Sequence, residues 1–227
     1  MQLRVCAYNV RGFRDGLGRV AAVVTRYAPD VVLLNETGGR LALRRFARAV
    51  GMSVAADPWS PFRRRVKDAV LARDPWRIER SEQHRFSTVD RWYPRGALVA
   101  EIRRDSAAIC AIAVHLSLRP AERLRHAEVV TRLAEQCDGP AVVGGDLNER
   151  PDGEAVAHLG DRLGDAWLLG GDASGETFPA DRPTARIDYL FVTPGVRVER
   201  TIVPAGAETS SASDHRPVVA VLTLPDR

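Results

Sequence analysis

Lysine is almost missing from this chain: of its 33 basic residues only Lys67 is a lysine, and the arginines that make up the rest are scattered. A scattered excess forms no contiguous basic stripe, so composition alone defines no nucleic-acid-binding face. Cysteine is scarce too. Cys6, Cys110 and Cys137 are odd in number, far apart and set in apolar runs, which argues against a disulfide frame or a closed zinc site and for buried thiols in a reducing compartment. No stretch reaches the ~20 consecutive apolar residues of a membrane-spanning helix, and the N-terminus runs straight into a strand-like segment without a signal-peptide core. A cytoplasmic protein, monomeric and without membrane insertion, is the expectation. Long repeats and low-complexity linkers are also lacking, so 227 residues at 45% hydrophobic content read as one α/β domain, 1–227. The net charge of +4 would help attract a phosphate-bearing partner, although solvated surface charge explains it equally well.

What the chain does contain is a series of short apolar runs that end on polar residues. The clearest is Val142-Val143-Gly144-Gly145-Asp146-Leu147-Asn148. Residues i and i+2 of an extended chain face the same side, so Asp146 and Asn148 are expected to present an acid and an amide to one space beyond a strand end. Strand-like segments over 3–10 and 30–36 place Asn9 and Glu36 at similar ends. Further strands are expected over 52–56, 66–72, 141–145, 186–192, 196–203 and 218–224, with 96–103 and 107–114 forming an antiparallel hairpin that leads into His115. Helical periodicity marks 17–28, 41–50, 120–137 and a short piece near 154–159. Between 52 and 92 the pattern is poor. The aromatics Trp59, Phe62, Trp76, Phe86, Trp92 and Tyr93 lie there among arginines, and they either pin loops to the core or offer platforms for unpaired bases.

Asn9, Glu36, His115, Asp146, Asn148, Asp188, Asp214 and His215 all lie in or just beyond apolar strands. One such residue is unremarkable, but eight suggest a polar rim along one edge of a sheet core. Oxygen donors of this kind suit a hard cation, Mg²⁺ or Mn²⁺, which takes one or two carboxylates together with substrate phosphates. A histidine beside an aspartate adds a proton-transfer or charge-stabilising partner.

The order Tyr8-Asn9, Leu34-Asn35-Glu36, Val114-His115-Leu116, Gly145-Asp146-Leu147-Asn148, Arg186-Ile187-Asp188-Tyr189 and Ser213-Asp214-His215-Arg216-Pro217 resembles the endonuclease/exonuclease/phosphatase superfamily across essentially the whole chain. The resemblance implies a DNase I-like, four-layer α/β/β/α sandwich: two packed mixed β-sheets flanked by helices. It implies a divalent-metal site at Glu36, with Asn9 and Asp214 close by, and catalytic roles for His115, Asp146, Asn148, Asp188 and His215. Asp188 would hydrogen-bond His215, His115 would contact a phosphate oxygen, and Asp146 or His215 would take the proton of the attacking water, with Asp146 preferred. Arg95 and Arg186 are candidates for substrate binding.

Departures from the family pattern bear on substrate. Asn35 stands where Gln is usual, and Val114 where Thr usually precedes the histidine. Lys67-Asp68-Ala69 replaces a common G-N-A, and DNase-like members carry an acid there that pairs with the histidine, so Asp68 is expected to hydrogen-bond His115. Ala185 occupies the place of the tryptophan that lines the sugar pocket of abasic-site endonucleases, which disfavours that activity. The expected function is hydrolysis of phosphodiester bonds, foremost in nucleic acid. A phosphatase or phosphodiesterase acting on a small-molecule or lipid head-group phosphate is the alternative, and a catalytically silent binding protein the remote one.

Overall fold

The computed structural model describes residues 1–225 apart from Arg91 and Ser174. Its strands are β1 (Gln2–Asn9), β2 (Val31–Asn35), β3 (Ser53–Ala56), β4 (Ala69–Ala72), β5 (Arg77–Arg85), β6 (Gly96–Arg104), β7 (Ala107–His115), β8 (Ala141–Asp146), β9 (Gly164–Asp165), β10 (Asp188–Val192), β11 (Arg197–Ile202) and β12 (Val218–Thr223). The helices are α1 (Leu17–Tyr27), α2 (Arg40–Ala49), α3 (Pro120–Glu135), α4 (Glu154–Gly160), α5 (Ala166–Gly170) and α6 (Ala207–Ser210).

Strand periodicity builds the layers. Leu3, Val5 and Ala7 of β1 face one side while Cys6 and Tyr8 face the other, because successive side chains alternate. The first set joins Val31, Leu33, Leu98, Ala100, Ile102, Ala111, Ala113, Ala220 and Leu222 in a core between two sheets. The second set packs under Val20, Val24, Leu43 and Phe46 of α1 and α2. On the far side, Ile112, Val114, Val143, Tyr189 and Phe191 meet Ala127, Val130, Leu133 and Leu159 of α3 and α4. The result is the expected four-layer α/β/β/α sandwich.

One sheet has the order β11-β12-β1-β2-β4-β3 and the other β5-β6-β7-β8-β10-β9. Each is mixed, with one parallel pair among its named strands, β1–β2 and β7–β8. The crossovers are α1 and α3, and Pro120 starts α3 at a first-turn position, where its missing N–H costs nothing. Last strand pairs with first, β12 with β1, tying the two ends of the described chain into one sheet. Parallel strands that cross over through helices finish at the same edge. That places the ends of β1, β2, β7 and β8, bearing Asn9, Asn35, His115 and Asp146, side by side.

Two expectations fail here. Cys110 and Cys137 are bonded to each other, their Cα atoms 6.1 Å apart, because the end of α3 packs over the start of β7; only Cys6 is a free, buried thiol. The cysteines therefore no longer argue for a reducing compartment. Strand β5 was not expected: it is an edge strand without a fully buried residue, only Ile78, Gln83 and His84 being half-buried, and its charges, which blunt an edge against pairing, erase the alternation that reveals a strand. Of the six aromatics from 59 to 93, Trp76 and Phe86 are core residues, whereas Trp59, Phe62, Trp92 and Tyr93 are exposed. No helix among the described residues is long and apolar enough to cross a membrane.

The two glycines of β8 are there for close approach. A Cβ on Gly144 would lie 2.5 Å from Leu190 and 2.9 Å from Leu33, and one on Gly145, whose φ is +145°, would overlap the Val114 carbonyl oxygen and come within 2.6 Å of Asn35 Oδ1. Gly145→Ala is therefore expected to cost at least about 2 kcal/mol, from backbone strain and overpacking together. Gly18→Ala, with nothing within 4 Å of the new methyl on α1, should instead stabilise by about 0.5–1 kcal/mol. Urea denaturation of both variants checks the contrast, and an unperturbed Gly145→Ala protein would contradict the packing described.

Candidate active site

The strand ends converge on Asp146. Its register partner in β7 is His115 and in β10 it is Asp188, so three chemically active side chains stand on adjacent strands. The Asp146 carboxylate is buried. Its Oδ2 accepts from Asn9 Nδ2 at 3.0 Å, lies 3.4 Å from His115 Nε2 and 3.8 Å from His215 Nε2; its Oδ1 accepts from the Asn148 backbone at 2.9 Å. Asn9 Nδ2 also reaches Glu36 Oε1 at 3.4 Å, linking that half-buried carboxylate to the same centre. Glu36 carries a left-handed φ of +53°, held by the Gly12 N–H donating to its carbonyl at 2.7 Å.

The two histidines, both buried, are driven in opposite directions. Burial pushes His215 down, yet the charges of Asp188, Asp146 and Asp214 and the Asp188 hydrogen bond outweigh it and hold the imidazole up at about 10. His215 Nδ1 meets Asp188 Oδ2 at 2.8 Å, and Thr177 Oγ1 donates to the same oxygen at 2.6 Å. His115 is held well below its ordinary 6.5 by burial first, then by the Arg95 guanidinium and His215. Arg95 Nη1 contacts His115 Nε2, and since a guanidinium can only donate, that nitrogen is an acceptor on a neutral ring. Burial, then the charge of Asp188, pushes Asp146 up to about 6 against the opposing pull of His215. A carboxylate near neutrality beside a charged imidazole is a pair whose environments have separated base from acid.

Several placements differ from expectation. Asp68 does not bond His115: its Oδ1 accepts from Asn35 Nδ2 at 2.9 Å and its Oδ2 has no hydrogen-bond partner among the described residues, because β4 delivers it beside β2. Asn148 does not continue the strand. Its φ is +52°, the chain turns through the Asp146–Asn148 hydrogen bond, and its Nδ2 donates to Leu116 O at 3.1 Å. Arg186 is withdrawn from any substrate: it is buried, pairs with Asp165 at 2.7 Å and stacks over Tyr189. Asp214 is brought to this edge but is paired with Arg11 at 3.1 Å. Arg95 does line the cleft, together with Glu36 and His115.

Other residues of the site carried only weak signals. Asn35, fully buried, donates to Asp68 and to Val114 O at 3.0 Å and accepts from Asp146 N at 2.9 Å; its departure from the usual Gln was the only sign. Thr177 fixes Asp188, and the Phe178 ring lies 4.9 Å from that of His215. Ser213 donates to Asn9 O at 2.8 Å, which ties the loop before β12 to β1.

The donor set fits a hard cation. Glu36, Asp146 and Asp188 face one protonated imidazole, and Asp188 Oδ1 is a buried acceptor with no hydrogen-bond partner among the described residues, a surplus of oxygen and negative charge that Mg²⁺ or Mn²⁺ would match. Atoms of Asp146, Asp188 and His215 lie within 4.8 Å of one another, close enough to hold an ion. Within that trio the imidazole nitrogen nearest Asp188 is already engaged by it, so the half-buried carboxylate of Glu36, whose Oε1 takes a long 3.4 Å contact from Asn9, is the better ligand.

A sandwich of this order with such a rim at its strand ends defines the class: a DNase I-like hydrolase of phosphate esters. The chain belongs to the endonuclease/exonuclease/phosphatase family, whose model matches residues 6–215. It is similar in structure to a family protein from Bacteroides thetaiotaomicron (TM-score 0.84, 20% identity, 100% of this chain and 99% of that one). It is also similar to the mannosyl-6-phosphatase Bt3783 of B. thetaiotaomicron VPI-5482 (0.81, 20%, 98% and 100%) and to D. rerio TDP2 complexed with single strand DNA product (0.78, 19%, 98% and 99%). At these identities the likeness shows the fold alone. No curated protein matches the sequence.

Buried Asp68 yields a test of the site's electrostatics. Burial pushes its carboxyl up from 3.8 to about 7, against the opposing Asn35 hydrogen bond and the Arg95 and Arg65 charges. An acid with a raised folded pKa destabilises the fold as it ionises: the cost is absent below pH 3.8, grows through the interval and is complete above about 7, reaching about 4 kcal/mol at most by linkage. Asp68→Asn keeps an acceptor for Asn35 without the charge. Its stability relative to wild type should rise between pH 5 and 8 in parallel denaturation curves; a pH-independent difference would refute the buried ionisation.

Proposed function

We propose that this chain is a divalent-metal-dependent phosphodiesterase that acts on nucleic acid. The observation that carries the reading is the cleft in front of Glu36 and His115, walled by arginines, Lys67, Trp92 and Tyr93: a basic, aromatic groove opening on the carboxylate–histidine centre. Cations suit backbone phosphates and exposed rings suit bases. The small size of this cavity, about 240 Å³, favours a second reading, a phosphatase or phosphodiesterase for a small-molecule phosphate.

A divalent cation held by Glu36, with Asn9 and Asp214 beside it, would supply Lewis-acid polarisation of the phosphoryl oxygens. The chain's own residues do the rest. Asp146 Oδ2 accepts the proton of the attacking water, oriented by Asn9 and the Asn148 backbone. Protonated His215 offers Nε2–H to a phosphate oxygen as charge builds, and Asp188 holds the ring with its proton in place. Arg95, whose guanidinium neutral His115 holds through Nε2, completes the anion clamp from the other wall. Fixed donors of this kind contribute most where charge develops in the transition state.

Asp146→Asn and His215→Ala should each lower kcat by ~10²-fold or more on bis(p-nitrophenyl) phosphate, and EDTA should abolish turnover. The base must be ionised and the imidazole protonated, so log kcat should fall below pH about 6 and again above about 10. Asp188→Asn removes the group that holds His215 up and should draw the alkaline limb down toward 6.5; an unmoved limb would count against the pairing. A panel of single- and double-stranded DNA, RNA, nucleotides and phosphomonoesters, with and without chelator, decides between the two readings.

A further inference from the structure

The cleft at Glu36 does not end at its aromatic wall. Arg65, Lys67, Trp92 and Tyr93 line its inner cavity, and the same four line a second, more open hollow of about 440 Å³ that continues to Arg64 and Gly38. No acidic residue borders this outer part among the described residues. Trp92 and Tyr93 stand at the junction, 68% and 64% exposed, and the Arg64 guanidinium lies 4.3 Å over the Trp92 ring.

Their exposure is built in. Asp90 Oδ1 accepts from the backbone of Trp92 at 2.8 Å and of Tyr93 at 3.3 Å, a turn that turns both rings outward. The base of the same loop is fastened to α3: Glu122 accepts from Val89 N at 2.9 Å, His126 Nε2 meets Ser87 O at 3.1 Å, and the His126 ring stacks on Phe86 at 4.5 Å. Keeping two large rings in water forfeits burial worth about 1.5–3 kcal/mol for a large apolar side chain, so rings held this way fit a partner with flat apolar faces. The cations beside them fit one with regularly spaced phosphates.

We infer that this trough carries a single-stranded nucleic acid away from the reactive phosphodiester, with unpaired bases on Trp92 and Tyr93 and backbone phosphates on Arg64, Arg65 and Lys67. The inference rests on the phosphodiesterase assignment and narrows its substrate class. Bases in a duplex are already stacked on one another and offer no face to a side-wall ring, whereas single strands gain ~1–3 kcal/mol per stacked base. Trp59 and Phe62, 71% and 96% exposed on the neighbouring loop, would also suit an anionic membrane, but neither lines the trough.

Fluorescence anisotropy tests this with a short labelled oligothymidylate, its duplex with oligoadenylate, and vesicles containing phosphatidylserine as competitor. Binding is read in Mg²⁺ with turnover blocked by Asp146→Asn, and again in EDTA. The single strand should bind about tenfold tighter than the duplex, and Trp92→Ala or Tyr93→Ala should each weaken it about five- to a hundredfold. Lys67→Ala should reduce the slope of log K against log salt by about 0.7, while Arg132→Ala at the far end of α3 should not change it. Equal binding of duplex, wild-type affinity in both aromatic variants, or preferential capture by the vesicles would each overturn the trough. Because binding is separated from turnover, a chain that binds single strands yet cleaves no phosphodiester would reject the catalytic assignment instead.

Discussion

The carboxamide of Asn35 joins the two halves of this molecule. From the end of β2 it donates to Val114 in the opposite sheet and accepts from the Asp146 N–H, while its other proton binds Asp68 in its own sheet. All of these groups are buried, where a donor or acceptor left unmade costs ~1–3 kcal/mol and a made one returns only ~1. The bond network therefore acts mainly by penalising any other relative position of the sheets. Gly145 permits it, since any side chain there would occupy the space of the carboxamide. Asp146 is thus fixed through its backbone from one sheet while its carboxylate is held by Asn9 from the same side.

Around that fixed carboxylate, proximity of charge decides what burial alone would not. His115 and His215 are both removed from water and flank the same oxygen. The one facing Arg95 is neutral and the one facing Asp188 is charged. Desolvation favours the neutral form in both; only where several carboxylates add their fields does the charged form win. The division leaves one charged donor and one neutral acceptor on either side of the same carboxylate.

Much of this centre was legible as polar residues terminating apolar runs: Asn9, Glu36, His115, Asp146 and His215 all stand at one edge, as strand periodicity and crossover geometry require. The Asp188–His215 contact, expected from the family resemblance, is also present. Pairings that depend on which strands become neighbours were not legible. Asp68 was assigned to His115 but meets Asn35, because β4 lies next to β2. Arg186 looked free to meet a substrate, yet Asp165, which ends β9 and caps α5, takes it with its carboxylate. The aromatics of the weakly patterned stretch looked alike, and only their surroundings separated buried Trp76 and Phe86 from exposed Trp92 and Tyr93.

The amino-acid order thus determined the layers and the chemical inventory, since alternation, helix period and strand-end polarity are local properties read along one chain. Tertiary structure decided partnership: the sheet-bridging role of Asn35, the union of Cys110 with Cys137, the opposite charges of two similar histidines and the continuous basic, aromatic trough. Each depends on the distance between residues remote in sequence, and electrostatics, hydrogen bonding and cavities all act through distance in space.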